Sequence, residues 1–194
     1  MKIINNKIFK TLVILFVFGC LLGIISFIFC SSDVKYNITN NAKEYVGLLD
    51  TSKINYAETM FLSFKYSASY GLYIFILGIL FVFSFIIPLL IIFKGILFSF
   101  SVFSIIYVFN IKGVLYALIL MFPYVINMIL YLLLSYYSIN LSIRLYKAFK
   151  NDKLINIRTF FKKYLYIYLI FNLFLLISSL IETFISSNIL KFVV

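Results

Sequence analysis

The chain has 194 residues, of which 64% are hydrophobic and only 12% charged, with a mean hydropathy of +1.12. A soluble domain typically spends about a quarter of its residues on charge, so half that amount cannot solvate a globule of this size, and most of the chain must have lipid as its solvent. The net charge of +11, from 17 Lys+Arg against 6 Asp+Glu, would suggest nucleic acid in a soluble protein. In a membrane protein it marks cytoplasmic loops instead, and no nucleic-acid partner is expected.

The apolar residues run in unbroken blocks, not in the short alternating segments of a β-barrel, which points to helices. The expected fold is therefore all-α: one membrane domain over residues 1–194, a polytopic transmembrane helical bundle with the lipid bilayer as its first partner. The 24 Phe and 16 Tyr, with no Trp, are spread through the spans and form no base-stacking patch. Their excess fits an AT-rich coding sequence better than a function.

The first apolar block, 11–30, follows Lys2, Lys7 and Lys10 and is free of charge. It is long for a signal-peptide core, and Ile28-Phe29-Cys30 is no small-residue cleavage site. Phe18-Gly19-Cys20 resembles a lipoprotein processing site, but apolar sequence continues past it, so an uncleaved span is expected. Cys20 and Cys30 would stand about 15 Å apart along one helix, too far to pair.

Residues 31–65 are the one long polar segment, an outer loop with four acids and four lysines. Its apolar residues recur at near-helical spacing, which predicts short amphipathic helices at the interface. A second span is predicted over 66–93, with Pro88 loosening its last turn and Lys94-Gly95 punctuating its end. A third follows at 96–111, and Asn110, Lys112 and Gly113 mark the next turn. The fourth block, 114–143, is long for one straight crossing and contains Pro123, so a kinked helix and a re-entrant piece before a full span are both open. A basic segment, 144–163, sets seven Lys and Arg against Asp152. The last span is predicted at 164–187.

Topology follows by parity. Lys2, Lys7 and Lys10 place the N-terminus in the cytoplasm, and the segment 144–163 belongs on the same side. Four crossings lie between them, and the fifth leaves the C-terminus outside.

Little in the chain could carry chemistry. There is no histidine, which excludes imidazole bases, His-based triads and the commonest metal ligands. No phosphate-binding glycine loop and no carboxylate dyad appear, so neither catalysis nor a cofactor is expected. Glu182 is the one acid within an apolar block, and an ionisable group at that depth is costly unless it faces protein or water. Eighteen residues beyond Tyr164, about 27 Å along a helix, it should lie near the outer surface. Its partner should then be Lys112 or Lys65, with Lys94 too far toward the inner side; a simple headgroup contact explains it as well. Gly71, Gly78, Ser84, Gly95, Ser99 and Ser101 are small residues that permit close helix approach, with Gly95-x-x-x-Ser99 a weak small-xxx-small match. Such a bundle is compatible with an oligomer. Asn37-Ile38-Thr39 and Asn140-Leu141-Ser142 match a glycosylation pattern, but the second lies inside a span, which shows how little the match carries. The basic segment could also bind anionic headgroups or dock a cytoplasmic protein.

Read in order, the spans resemble the stage II sporulation protein M family. The likeness is carried by Leu77-Gly78, by Ile87-Pro88-Leu89-Leu90-Ile91-Ile92-Phe93-Lys94-Gly95, by Lys112-Gly113, by Phe122-Pro123 and by Ile181-Glu182-Thr183-Phe184. The chain departs from the family at Ser99, where a second glycine is usual, and at Tyr124-Val125, where two amide side chains are usual. The resemblance implies a non-enzymatic scaffold in the mother-cell membrane at the sporulation septum. Its partners would be septal peptidoglycan hydrolases, a transglycosylase and an amidase/endopeptidase, which thin the wall during engulfment of the forespore. The competing reading is a permease-type subunit of a membrane transporter, for which Pro-interrupted helices are a precedent. On either reading Glu182, Lys112, Lys94, Gly95 and Pro123 are the residues to follow, for function or for packing.

Overall fold

Among the described residues the computed structural model has five α-helices and one 3-10 turn: α1 (Asn6–Ile28), α2 (Ser32–Asp50), α3 (Tyr56–Ile79), the 3-10 turn Phe81–Phe83, α4 (Ile86–Lys150) and α5 (Ile157–Val193). The structure describes residues 6–50, 55–150 and 157–193; Lys2, Lys53, Asp152 and Lys153 lie outside them. Among the described residues four helices, α1, α3, α4 and α5, are long and apolar enough to cross a membrane. The chain is an all-helical, multi-pass membrane protein.

The helix boundaries differ from the apolar blocks in instructive ways. The segment 31–65 is not all loop. Its first part is α2, and its last ten residues already belong to α3, which starts at Tyr56. Asn55 caps that start: its side chain accepts from the Glu58 backbone N–H at 3.4 Å and faces the Glu58 carboxylate at 3.5 Å. This is a side-chain N-cap, with the Asn55 amide also donating to the carboxylate it faces, and it begins the helix well before the charge ends.

The block 66–93 is likewise not one helix. The chain leaves α3 at Leu80 (φ −79°, ψ 74°), passes through the 3-10 turn and re-enters a helix at Ile86. Pro88 therefore stands in the first turn of α4, where a missing N–H costs nothing because that group has no helical partner anyway. No polar residue but Ser84 marks this turn. Its aromatic side chains are used instead, with Phe81 stacked on Phe149 at 5.3 Å and tilted against Tyr146 at 6.5 Å.

α4 doubles back on itself at Asn110, whose φ of 52° and ψ of −127° are not helical. Those angles are close to the first central position of a type II′ turn, usually filled by Gly and tolerated by Asn. Gly113 makes the reversal tight: a Cβ there would sit 2.6 Å from the Ile105 carbonyl oxygen. The two arms, 86–109 and 111–150, then run antiparallel, with Phe98 beside Tyr124 and Lys94 beside Tyr131. The second arm continues through Pro123 without a break, so this stretch is a single helix and not a re-entrant piece followed by a span.

Side-chain pairings fix the directions of the five rods. Gly19, Gly23 and Phe27 of α1 meet Ile92, Ile96 and Phe100 in the same order, so α1 and the first arm of α4 are parallel. α3 runs parallel to the second arm (Ser67 with Tyr131, Gly78 with Ser142) and antiparallel to α5 (Ser63 with Glu182, Phe75 with Tyr164). The start of α1 and the basic end of α4 consequently lie at the same end of the bundle, as an even number of passes between them requires.

The tightest packing is between α1 and the first arm of α4. A Cβ on Gly95 would lie 2.5 Å from the Phe16 carbonyl oxygen, and one on Gly19 or Gly23 would collide with the backbone of Ile92 or Ile96. Gly19-x-x-x-Gly23 and Gly95-x-x-x-Ser99 thus face each other, backbone to backbone. Without a hydrophobic effect between helices in lipid, such close van der Waals contact is the main attraction available. The core proper is shared by α1, α3, both arms of α4 and α5, around Leu12, Ile74, Ile87, Ile91, Tyr131, Leu134 and Leu175. The outward faces carry exposed apolar side chains such as Ile14, Phe18, Leu89, Phe93, Leu118 and Leu173, as contact with lipid tails demands.

Candidate functional site

Charge in the bundle interior gathers at one place. Lys94 from the first arm of α4 and Glu182 from α5 line a single cavity of about 80 Å³, with Tyr66 and Ser67 of α3 and Tyr124 and Asn127 of the second arm. Lys94 and Glu182 are close enough to interact electrostatically. This corrects the expectation that Lys94 is too distant and that Lys112 or Lys65 serves as partner. The reason is the hidden turn at 80–85. With α4 starting at Ile86, Lys94 stands eight residues into the bundle, about 12 Å from the helix start, and does not end a span. Lys65 and Lys112 are exposed.

Each charge has a defined setting. The Glu182 carboxylate accepts from the Ser63 hydroxyl at 2.5 Å. The Lys94 ammonium lies over two ring faces, 4.6 Å from the Tyr70 centroid and 5.3 Å from that of Tyr131. Cation–π contact of this kind is worth about 2 kcal/mol when desolvated. The rings are themselves held in place. They meet edge to face at 4.9 Å, the Tyr70 hydroxyl donates to the Leu90 carbonyl at 2.5 Å, and the Tyr131 hydroxyl donates to that of Ser67 at 3.0 Å.

From the cavity a file of polar residues follows one face of the second arm: Asn127, Tyr131, Ser135, Ser138 and Ser142, all buried. Ser138 shares a hydrogen bond of 2.7 Å with the Tyr164 hydroxyl, which also reaches the Phe75 carbonyl at 3.1 Å. Ser142 donates to the Gly78 carbonyl at 2.8 Å. These bonds tie α3, α4 and α5 together where an unpaired polar group would cost several kcal/mol.

The other residues singled out from the sequence lie elsewhere. Gly95 follows Lys94 but turns to the α1 seam. Pro123 is buried, and its carbonyl accepts from Ser178 of α5 at 3.4 Å. Lys112 is at the α4 hairpin, away from the cavity. Asn127, Tyr70, Tyr131 and Ser63 escaped notice in the sequence. The spacing 127, 131, 135, 138, 142 was the available signal, since polar residues at four, four, three and four place one stripe on an otherwise apolar helix.

At the end of the bundle carrying α2, an open groove of about 640 Å³ runs between that helix and the α4 hairpin. Asp33, Lys35, Tyr36, Thr39, Asn40 and Tyr107 line it. Among the described residues no group of three or more His, Cys, Asp or Glu could hold a metal ion.

The family model described as stage II sporulation protein M matches residues 12–187. No curated protein matches the chain, and no solved structure does. The matched region takes in α3 and α4 whole and most of α1 and α5, and Lys94 and Glu182, from two of the segments that carry the resemblance, meet at the cavity, with Gly95 at the seam beside it.

Proposed function

The chain belongs to the stage II sporulation protein M family, and we propose that it is a non-enzymatic membrane scaffold that anchors and localises septal peptidoglycan hydrolases during forespore engulfment. On the topology read from the charges, the N-terminus and the basic end of α4 face the cytoplasm, and α2 with its groove faces the wall. The observation that carries the reading is this pairing of a rigid apolar bundle with a polar outward platform. The bundle is fixed by the α1 seam and the interhelical hydrogen bonds. The platform offers mixed charge and exposed Tyr36 to a protein partner. A scaffold needs both parts and no chemistry, and a sequence without histidine lacks the usual zinc ligands and imidazole base of an amidase or peptidase.

The rival reading, a permease-type subunit, requires a path for a substrate. The interior cavity of about 80 Å³ suits a few waters, each of which fills about 30 Å³ in the liquid, and is too small for most solutes. Affinity purification from solubilised membranes of sporulating host cells separates the two. Recovery of a transglycosylase and an amidase/endopeptidase supports the scaffold. Recovery of an ATPase without any wall hydrolase overturns it.

A further inference from the structure

The Lys94 ammonium has three hydrogens to donate, and among the described residues no protein oxygen accepts one; its neighbours are the ring faces of Tyr70 and Tyr131. The Glu182 carboxylate has about four acceptor positions, and the Ser63 hydroxyl uses one of them. The hydroxyls of Tyr70 and Tyr131 do not serve either charge, being committed to the carbonyls of Leu90 and Ser67. Asn127 lines the same cavity, is only 7% exposed, and its side-chain oxygen has no hydrogen-bond partner in the protein. At least three polar groups therefore face one small space with their hydrogen bonding unfinished, and the hydroxyl-bearing side chains of Tyr66, Ser67 and Tyr124 line it too. Leaving a charged group in that condition in lipid is far costlier than trapping water beside it.

We propose that this cavity is a hydration site, in which two or more bound waters bridge the Lys94 ammonium, the Glu182 carboxylate and the Asn127 amide into one water-mediated ion pair. The volume of about 80 Å³ accommodates them, and each water finds the two to four polar partners that a buried water requires. Water also explains why a lysine and a glutamate can occupy the bundle interior as a neutral pair while the ammonium keeps its aromatic cradle. The consequence is mechanical. The bridge joins α3 through Ser63, both arms of α4 through Lys94 and Asn127, and α5 through Glu182, so it latches four of the five rods at one level. The inference stands independently of the scaffold reading.

Two measurements on the full chain in lipid nanodiscs test it. Hydroxyl-radical labelling by synchrotron radiolysis reports side chains touching bound water. Tyr131 (1% exposed) should be labelled much faster than Tyr164 (3% exposed), which is equally buried but away from the cavity. Equal, slow labelling of both would mean a dry cavity and would overturn the hydration site. Thermal unfolding of Lys94→Met, of Glu182→Gln and of the double variant then reads the coupling. Each single change should lower the midpoint, and the double variant should unfold no lower than the worse single one. Strictly additive shifts, or singles that unfold like the parent, would show that the two charges are not bridged.

Discussion

Gly95 offers the sharpest test of how the bundle is held together. A Cβ placed there lies 2.5 Å from the Phe16 carbonyl oxygen and 3.0 Å from the Cys20 nitrogen, both backbone atoms of α1. A comfortable carbon–oxygen contact is about 3.3–3.6 Å, so α1 would have to retreat by roughly 1 Å. A gap of that size forfeits a quarter to a half of the dispersion energy along the seam, because Gly19 and Gly23 touch the same arm and move with it. For Gly95→Ala, overpacking costs about 1–3 kcal/mol and the better helix propensity of alanine returns about 1. The net loss should be about 0–2 kcal/mol. For Gly95→Leu no side-chain rotamer avoids the facing backbone, and the loss should exceed about 3 kcal/mol, with α1 displaced. Leu97→Ala, two residues on and 44% exposed, is the control and should change stability by less than about 0.5 kcal/mol. Thermal unfolding followed by helical circular dichroism in nanodiscs measures all three. A Gly95→Leu variant that unfolds at the parental temperature would refute the seam.

Further outcomes follow from the turn, the polar file and the charge pattern. Asn110→Gly should stabilise the chain by about 1 kcal/mol, since a non-glycine residue at positive φ stores strain of roughly 1–3 kcal/mol, whereas Asn110→Val should destabilise it; the same unfolding assay decides. Tyr164→Phe removes the bonds to Ser138 and to the Phe75 carbonyl and should cost about 1–3 kcal/mol with no change in fold, read as a lowered midpoint at unchanged helicity. With Cys20 and Cys30 replaced by alanine, a cysteine at Tyr36 should react with an impermeant maleimide on intact protoplasts, and one at Lys147 only after permeabilisation. Labelling of Lys147→Cys from outside would reverse the topology.

The sequence made the membrane class legible because composition alone decides it. The reversal at Asn110 to Gly113 was legible too, since Asn, Lys and Gly are polar or permissive residues breaking an apolar run. The turn at 80–85 was not. It is built from Phe and Leu, and its aromatic side chains pack on the end of α4, so no polar residue but Ser84 announces it. That one concealed turn displaced the reading of Lys94 from the bundle interior to a span end, and with it the identity of the charge facing Glu182. Lys112, at the hairpin, had seemed the nearer cation only because depth was counted along the sequence. The α1 seam was half visible: Gly95-x-x-x-Ser99 was noticed, but its partner Gly19-x-x-x-Gly23 was not, because a small-residue match acquires meaning only when a second one faces it. Glu182 stood out in the sequence as the one acid within an apolar block, and the structure places a lysine and an amide on the same cavity.

A scaffold differs from an enzyme or a transporter in what its loss leaves behind. The most direct measurement is to delete the protein from its sporulating host and follow two quantities: the septal position of the wall hydrolases by fluorescence, and total wall-hydrolytic activity in cell extracts. The scaffold account predicts hydrolases dispersed from the septum with extract activity unchanged. Hydrolases that remain at the septum, or extract activity that disappears with the chain, would contradict it.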